Sequence, residues 1–236
     1  MKVIVVGGSS GIGAELVRQL VARGDVVASV SRRGVNMEHP KGGGTVMGYA
    51  HDVTETAEVP NLFQAITKDL GGLDAVIYVA GVMPEVGPDE FDFEKDRAMI
   101  DVNFTGAVAW LNQAAIRFGN VGAGTIVGIG SVAGERGRAG QPVYNASKAA
   151  LKTYLEALRN RLSKRGVKVV TIKPGPTATP MTAHLKGMKM MPAETAARLI
   201  LKKMERPGEH FLSPVHWLAF LVIRNIPSFL FRRLNV

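Results

Sequence analysis

Short apolar and β-branched runs alternate along the chain with longer stretches in which apolar positions recur every three or four residues. The short runs at 2–6, 26–31, 45–50, 73–79, 125–130 and 168–172 predict strands, and 211–212 a brief last one. The run at 73–79 is nearly all apolar, as expected of a strand covered on both faces. The longer stretches predict helices at 14–21, 59–70, 97–118, 193–204 and in a run from Pro142 through Lys152. Strand and helix alternate throughout. That order predicts right-handed βαβ units and an α/β fold, a doubly wound parallel sheet of about seven strands with helices on both faces. No internal repeat, low-complexity tract or linker interrupts it, so residues 1–236 read as a single domain. Residues 39–44 form a Pro/Gly-rich loop. A Met-rich segment within 178–191 reads as an apolar lid or an irregular connection, and 214–236 as a hydrophobic tail.

Composition narrows the chemistry. The chain's 236 residues, 46% of them hydrophobic, suffice for a buried core. The absence of cysteine removes disulfides, thiolate nucleophiles and Cys-ligated metals together, and the five His lack metal-ligand spacing. A net charge of +9 attracts anions, whether a phosphorylated cofactor, an anionic membrane or nucleic acid. The basic residues are scattered rather than clustered with aromatics, so no nucleic-acid partner is expected. The N-terminus opens on a strand and not on a charged region before an apolar core, so no secretory signal is expected. No apolar run is long enough to span a bilayer.

The first strand feeds Gly7-Gly8-Ser9-Ser10-Gly11-Ile12-Gly13, and a helical stretch follows. Strand, glycine turn and helix together make a phosphate site, because the helix N-terminus offers free N–H groups and the glycines allow close approach. The second strand ends Ser31-Arg32-Arg33. An acid at that place would bind the ribose 2′-hydroxyl of NAD, whereas an Arg accommodates the 2′-phosphate of NADP. There is no acid and there are two arginines, so NADP is expected over NAD. Asp52, at the end of the third strand before Val53, suits a helix cap and an acceptor for an adenine amino group, two compatible roles. Asn103 falls inside a helical stretch, as a tolerated polar residue, a local kink or a water holder. Ser131 is delivered at the end of the fifth strand, where ligands bind in open α/β folds. Tyr144 and Lys148 stand four apart on one helix face. A free phenol has a pKa of about 10, and bringing one to about 7 takes roughly 4 kcal/mol, which a close ammonium and a second positive charge can supply.

In this order the motifs resemble the short-chain dehydrogenase/reductase family, over essentially the whole chain to about Phe211. Val6-Gly7-Gly8-Ser9-Ser10-Gly11-Ile12-Gly13 resembles its cofactor loop, with Val6 where Thr is usual, and Asp52-Val53 its adenine contact. Asn103, Ser131, Tyr144 and Lys148 match its catalytic tetrad. Pro174-Gly175 and Thr177 to Thr179 match the segment that holds the nicotinamide carboxamide. One motif departs: Tyr78-Val79-Ala80-Gly81 stands where Asn-Asn-Ala-Gly is usual, which puts local sheet packing in question while Ala80 and Gly81 still admit the adenine ribose. The resemblance implies an oxidoreductase. Ser131 would bond the substrate carbonyl, Tyr144 would protonate it, Lys148 would bond the nicotinamide ribose and acidify the Tyr, and Asn103 would hold a water leading from Lys148 to solvent. It also implies a homodimer or homotetramer built on the Asn103 and Tyr144 helices. A narrower resemblance, carried by Gly134-Glu135-Arg136, Met181-Thr182-Ala183-His184 and the arginine-rich ending, is to the keto-reducing component of decaprenylphosphoryl-ribose epimerase and its relatives, which act on keto-sugars carried by polyprenyl phosphates.

The expected activity is therefore reduction of a ketone or keto-sugar to a secondary alcohol by an NADP-dependent enzyme in the cytoplasm, on a small-molecule carbonyl substrate. NAD-dependent alcohol oxidation and a non-catalytic dinucleotide sensor are the competing readings. The filled tetrad speaks against the sensor. The tail packs on the pocket or a neighbouring subunit, or lies as a peripheral contact on the inner face of an anionic membrane.

Overall fold

The computed structural model describes residues 1–34, 43–185 and 187–234. Residues 39–42 of the expected Pro/Gly-rich loop and residue 186 of the expected lid lie outside the described residues. The elements run β1 (Lys2–Val6), α1 (Gly11–Ala22), β2 (Val26–Ser31), β3 (Thr45–Ala50), α2 (Val59–Asp69), β4 (Ala75–Tyr78) and α3 (Phe93–Ile100). A π-helical turn (Asp101–Thr105) joins α3 to α4 (Gly106–Val121). Then come β5 (Gly124–Ile129), α5 (Pro142–Leu162), β6 (Val167–Lys173), β7 (Thr177–Ala178), β8 (Met191–Pro192), α6 (Ala193–Lys203), β9 (Gly208–Phe211), α7 (Pro214–Ile223) and α8 (Ser228–Phe231).

Seven strands form one parallel sheet in the order β3-β2-β1-β4-β5-β6-β9, and β7 and β8 pair separately. Side chains alternate across the sheet. Ile4, Ala28, Val76 and Ile126 meet α2, α4 and α5 on one face, where Phe63, Trp110 and Leu155 fill the core. Val3, Val27, Ile77 and Val127 meet α1 and α6 on the other, against Leu16, Leu20 and Ile200. Both faces are covered, which is why the inner strands read as unbroken apolar runs.

The boundaries differ from expectation where polar groups set them. The helix expected at 97–118 starts earlier, at Phe93, because the Asp92 carboxylate accepts from Glu94 N at 2.9 Å and Lys95 N at 3.2 Å. It also widens into the π-helical turn around Asn103 instead of running through as α-helix. The last strand is Gly208–Phe211 and not 211–212. It is an edge strand, and its Glu209 and His210 hide it from a hydrophobicity pattern. Tyr78, at the position that departs from the family, is fully buried, and its hydroxyl donates to the Val102 carbonyl at 2.6 Å. The phenol thereby ties β4 to the π-helical turn, and the packing is satisfied. Among the described residues no helix is long and apolar enough to cross a membrane.

Because β2 and β3 lie on one side of β1 and β4, β5, β6 and β9 on the other, the chain reverses direction across the sheet beside β1. The crevice at such a switch point opens at the carboxyl ends of the strands.

Candidate active site

A cleft of about 1700 Å³ lies along those carboxyl ends. Its first wall is the loop from β1 to α1. Gly7 N donates to Val30 O at 2.8 Å, and a Cβ on Gly13 would lie 2.0 Å from the Gly7 carbonyl oxygen, so the turn closes only around glycine. Helix α1 starts at Gly11. Its N-cap, Ser10, makes no side-chain cap bond and its first turn holds no acid. The N–H groups there are left for an anion. Ser9, Ser10, Gly11, Ile12 and Gly13 all line the cleft.

At the end of β2, Ser31 is buried and its hydroxyl has no partner among the described residues. Arg32 and Arg33 are exposed beside it, and Arg33 Nη2 donates to the Ser9 hydroxyl at 3.2 Å. Asp52 Oδ1 accepts from Thr54 N at 3.0 Å and from the Thr54 hydroxyl at 2.9 Å. The backbone bond above all holds its carboxyl below the usual range. Asp52 thus closes a local turn and does not cap the next helix, whose N-cap is Glu58, and it lines the cleft. Val53, Ala80 and Gly81 complete this half. A cleft with a glycine-tight helix N-terminus, an unpartnered Ser31 hydroxyl and two arginines beside it fits a phosphorylated nicotinamide dinucleotide.

The other half is built on β5, α5 and β6. Tyr144 and Lys148 both face the cleft from α5. Lys148 Nζ donates to the Ile129 carbonyl at 3.0 Å and sits 5.8 Å from the centre of the Tyr144 ring. Burial lowers the lysine's pKa to about 8. Burial raises that of Tyr144, against a hydrogen bond with Ser131 and the charge of Arg138. The Ser131 hydroxyl also accepts from Ala133 N at 3.0 Å, which holds it at the strand end. Asn103 is fully buried. It accepts from Val82 N at 2.8 Å and donates to the Val82 carbonyl at 3.0 Å and the Ser147 hydroxyl at 3.1 Å. It therefore clamps the segment after β4 against α5. Its side-chain oxygen also sits close to Gly81, as does Lys148 Nζ. Pro174 O accepts from Val132 N at 3.0 Å, Thr177 donates to Gly175 O at 3.0 Å, and Thr179 shares a reciprocal cap with Thr182, so Pro174, Gly175, Thr177 and Thr179 form one ordered edge of the cleft.

Two side chains of α7 complete the wall: His216 and Phe220. A Cβ on Gly175 would lie 1.9 Å from His216 Cε1, so the helix approaches only because that position is glycine. His216, the one polar side chain of α7, stands just before the apolar heptad 217–223 and was the one sequence signal for this inward face. Arg138 is half-buried in the same part of the cleft; it has no carboxylate within salt-bridge distance among the described residues, and its Nε has no partner there. Met181, Leu185 and Met188 of the expected lid line the cleft mouth.

The family model described as short chain dehydrogenase matches residues 1–189. The chain is 37% identical over 185 residues to an uncharacterized oxidoreductase of Myxococcus xanthus (strain DK1622), covering 76% of this chain and 73% of the relative. It is 31% identical over 217 residues to carbonyl reductase family member 4 of Xenopus tropicalis, covering 86% and 90%. Among solved structures, a short-chain type dehydrogenase/reductase from Mycobacterium ulcerans superposes with a TM-score of 0.82 at 25% identity, over 89% of this chain and 86% of that one. A short chain dehydrogenase from Burkholderia cenocepacia J2315, solved in complex with NADP, superposes with a TM-score of 0.86 at 22% identity, over 100% and 97%, which shows the shared fold.

Proposed function

The chain belongs to the short-chain dehydrogenase/reductase family, and from that premise we propose that it is an NADP-dependent reductase of a ketone or keto-sugar carbonyl. The observation that carries the reading is the half-buried Tyr144 facing the cleft beside Ser131 at the end of β5, with Lys148 Nζ 5.8 Å from its ring centre. Burial favours the protonated phenol, and a group that keeps its proton near neutral pH is suited to give it to a carbonyl oxygen rather than take one from an alcohol.

The chain's residues then divide the work. Ser131 donates to the substrate oxygen, and Tyr144 protonates that same oxygen. Lys148, fixed by Ile129 O, bonds the ribose next to the nicotinamide and stabilises the phenolate left behind. Asn103 sets the position of Val82 and Gly81 beside Lys148, a place from which a water can return the proton. The nicotinamide, when bound, supplies the hydride. Gly7, Ser9, Ser10, Gly11, Ile12 and Gly13 hold the pyrophosphate on the α1 N-terminus. Ser31, Arg32 and Arg33 take the 2′-phosphate, Asp52 and Val53 the adenine, Ala80 and Gly81 its ribose, and Pro174, Gly175, Thr177 and Thr179 the carboxamide. NADP in the solved Burkholderia neighbour supports this choice of dinucleotide.

Apolar side chains at the mouth and Arg138 beside Tyr144, whose guanidinium meets the Asn145 side-chain oxygen at 3.3 Å but no carboxylate among the described residues, support a hydrophobic substrate bearing an anionic group, a description that a keto-sugar on a lipid phosphate meets. Residues 178–185 and 187–191 form the lid over it. A cytoplasmic place at an inner membrane face, and a dimer or tetramer through α4 and α5, belong to the same reading. The experiment is a carbonyl panel with NADPH, followed by nicotinamide absorbance. It pairs neutral with carboxylated or phosphorylated ketones and includes lipid-linked keto-sugars. Turnover is expected, with Arg138→Gln raising KM for the anionic members alone. Tight NADPH binding without turnover of any member would make the chain a dinucleotide sensor instead.

A further inference from the structure

Helix α7 has two unlike sides. His216 and Phe220, one turn apart, form the wall of the cleft. Away from them, Val215 is 72% exposed, Trp217 54%, Leu218 58% and Val222 59%. After Pro227 the chain continues into α8, where Phe229 and Leu230 are also exposed while Phe231 turns inward. Exposed apolar residues scattered singly need no explanation, but a continuous face of them does.

This face is held in place. The Arg136 guanidinium lies 4.0 Å from the centre of the Phe231 ring and donates to Ile223 O at 2.7 Å and to Ile226 O. Next to it the buried Glu135 carboxylate pairs with Lys173 at 2.7 Å and approaches Arg224 at 4.0 Å, while Lys173 also pairs with Glu209. Glu135 and Arg136, in the turn just past Ser131, thus fasten both short helices to the body of the protein. The tail is a built surface with its apolar residues directed outward.

Charge identifies what covers it. Between residues 214 and 234 there are three arginines, Arg224, Arg232 and Arg233, and no acidic residue. A two-fold contact with a second copy would set this basic face against itself, with no carboxylate in the segment to compensate. An anionic lipid surface meets both needs, taking the apolar side chains into the acyl boundary and the guanidiniums among the headgroups. Neither helix is long enough to cross the hydrocarbon, so both lie in its plane. Trp217 has the amphipathic ring favoured at that depth.

We propose that α7 and α8 dock the protein on an anionic bilayer, with the opposite side of α7 forming the wall of the cleft. A carbonyl compound carried in the lipid then reaches His216 and Phe220 by passing around one helix rather than through water. This substrate half rests on the reductase reading, whereas the docking itself does not.

The test is co-sedimentation of the full chain with vesicles of phosphatidylglycerol in phosphatidylcholine, which requires no substrate. Binding is expected at low salt, weaker on phosphatidylcholine alone and weaker as salt rises. Trp217→Ser/Leu218→Ser/Val222→Ser, all exposed positions, is expected to cut partitioning at least about tenfold while NADPH binding and thermal melting are kept. Arg232→Gln/Arg233→Gln should remove the preference for phosphatidylglycerol. No binding at low salt, or equal partitioning of the triple variant, overturns the proposal. So does a dimer that the same three substitutions split into monomers, which would assign the face to a second copy.

Discussion

Replacing Tyr144 with Phe removes one oxygen atom and tests the assigned acid directly. The ring stays in place, packed 5.8 Å from Lys148 Nζ, and Ser131 keeps its bond from Ala133 N at 3.0 Å. The structural loss is at most one hydroxyl contact, toward Ser131, and a hydrogen bond is worth about 1 kcal/mol in a folded protein. The melting temperature should therefore move by only a few degrees. NADPH affinity should stay within about twofold, since the pyrophosphate and 2′-phosphate sites are untouched. The chemical loss is far larger. A positioned general acid contributes about 10² to 10⁴ in rate, or roughly 3 to 5 kcal/mol of barrier. The assay is steady-state NADPH oxidation with a confirmed carbonyl substrate, alongside cofactor titration by fluorescence. The expected result is a fall in turnover of at least about a hundredfold, with binding retained. The wild-type reduction rate should decline at high pH as the phenol loses its proton, and the variant should lack that limb. Near wild-type turnover by Tyr144→Phe would refute the assignment of the proton to this residue, whatever the family to which the chain belongs.

Other outcomes follow from the same geometry. NADPH should bind more tightly than NADH, and Arg32→Ala/Arg33→Ala should erase the difference; equal wild-type affinities in fluorescence titrations would reduce both arginines to solvated loop residues. Lys148→Met should abolish turnover yet raise the thermal stability of the cofactor-free protein at pH 7. The lysine's pKa falls from 10.5 to about 8 on folding, so its charge opposes folding fully below pH 8. Between those values the unfolded chain binds more protons, so wild-type stability rises with pH and the variant's advantage, on the order of 2 to 3 kcal/mol after the lost bond to Ile129 O, fades by about pH 10. Denaturant melts of both proteins at pH 7 and pH 10 check this, and a variant less stable at pH 7 would contradict the burial cost assigned to Lys148.

Much of this was legible in the residues because it depends on short stretches. The strand-glycine-helix unit at Gly7 to Gly13 fixes its own backbone, since a Cβ on Gly13 would lie 2.0 Å from the Gly7 carbonyl oxygen and the turn therefore admits none. The spacing of Tyr144 and Lys148 sets their common face by helix geometry alone. The absence of an acid after Ser31 is a statement about composition at one place. The covered sheet was readable too, because a strand buried on both faces has to be apolar throughout.

What the chain order left open concerns contacts between segments far apart in sequence. Asp52 offered a cap and an acceptor, and only the placing of α2 at Val59 ruled out the cap. Asn103 read as a tolerated residue, a kink or a water holder; the fold made it a clamp on Val82, 21 residues away, in a π-helical turn whose Val102 carbonyl receives the Tyr78 hydroxyl. The edge strand Gly208–Phe211 carries polar residues because one of them, Glu209, meets Lys173 across the sheet. The heptad 217–223 looked alike on every side, and periodicity cannot orient a helix that has no polar face. Its orientation came from Gly175, which admits His216, and from Glu135 and Arg136, which fasten the helix ends. Local patterns thus determined the fold and many of the residues that line its cleft. The wall around the substrate and the outward apolar face were decided by tertiary packing, because burial belongs to a residue's surroundings and not to the residue itself.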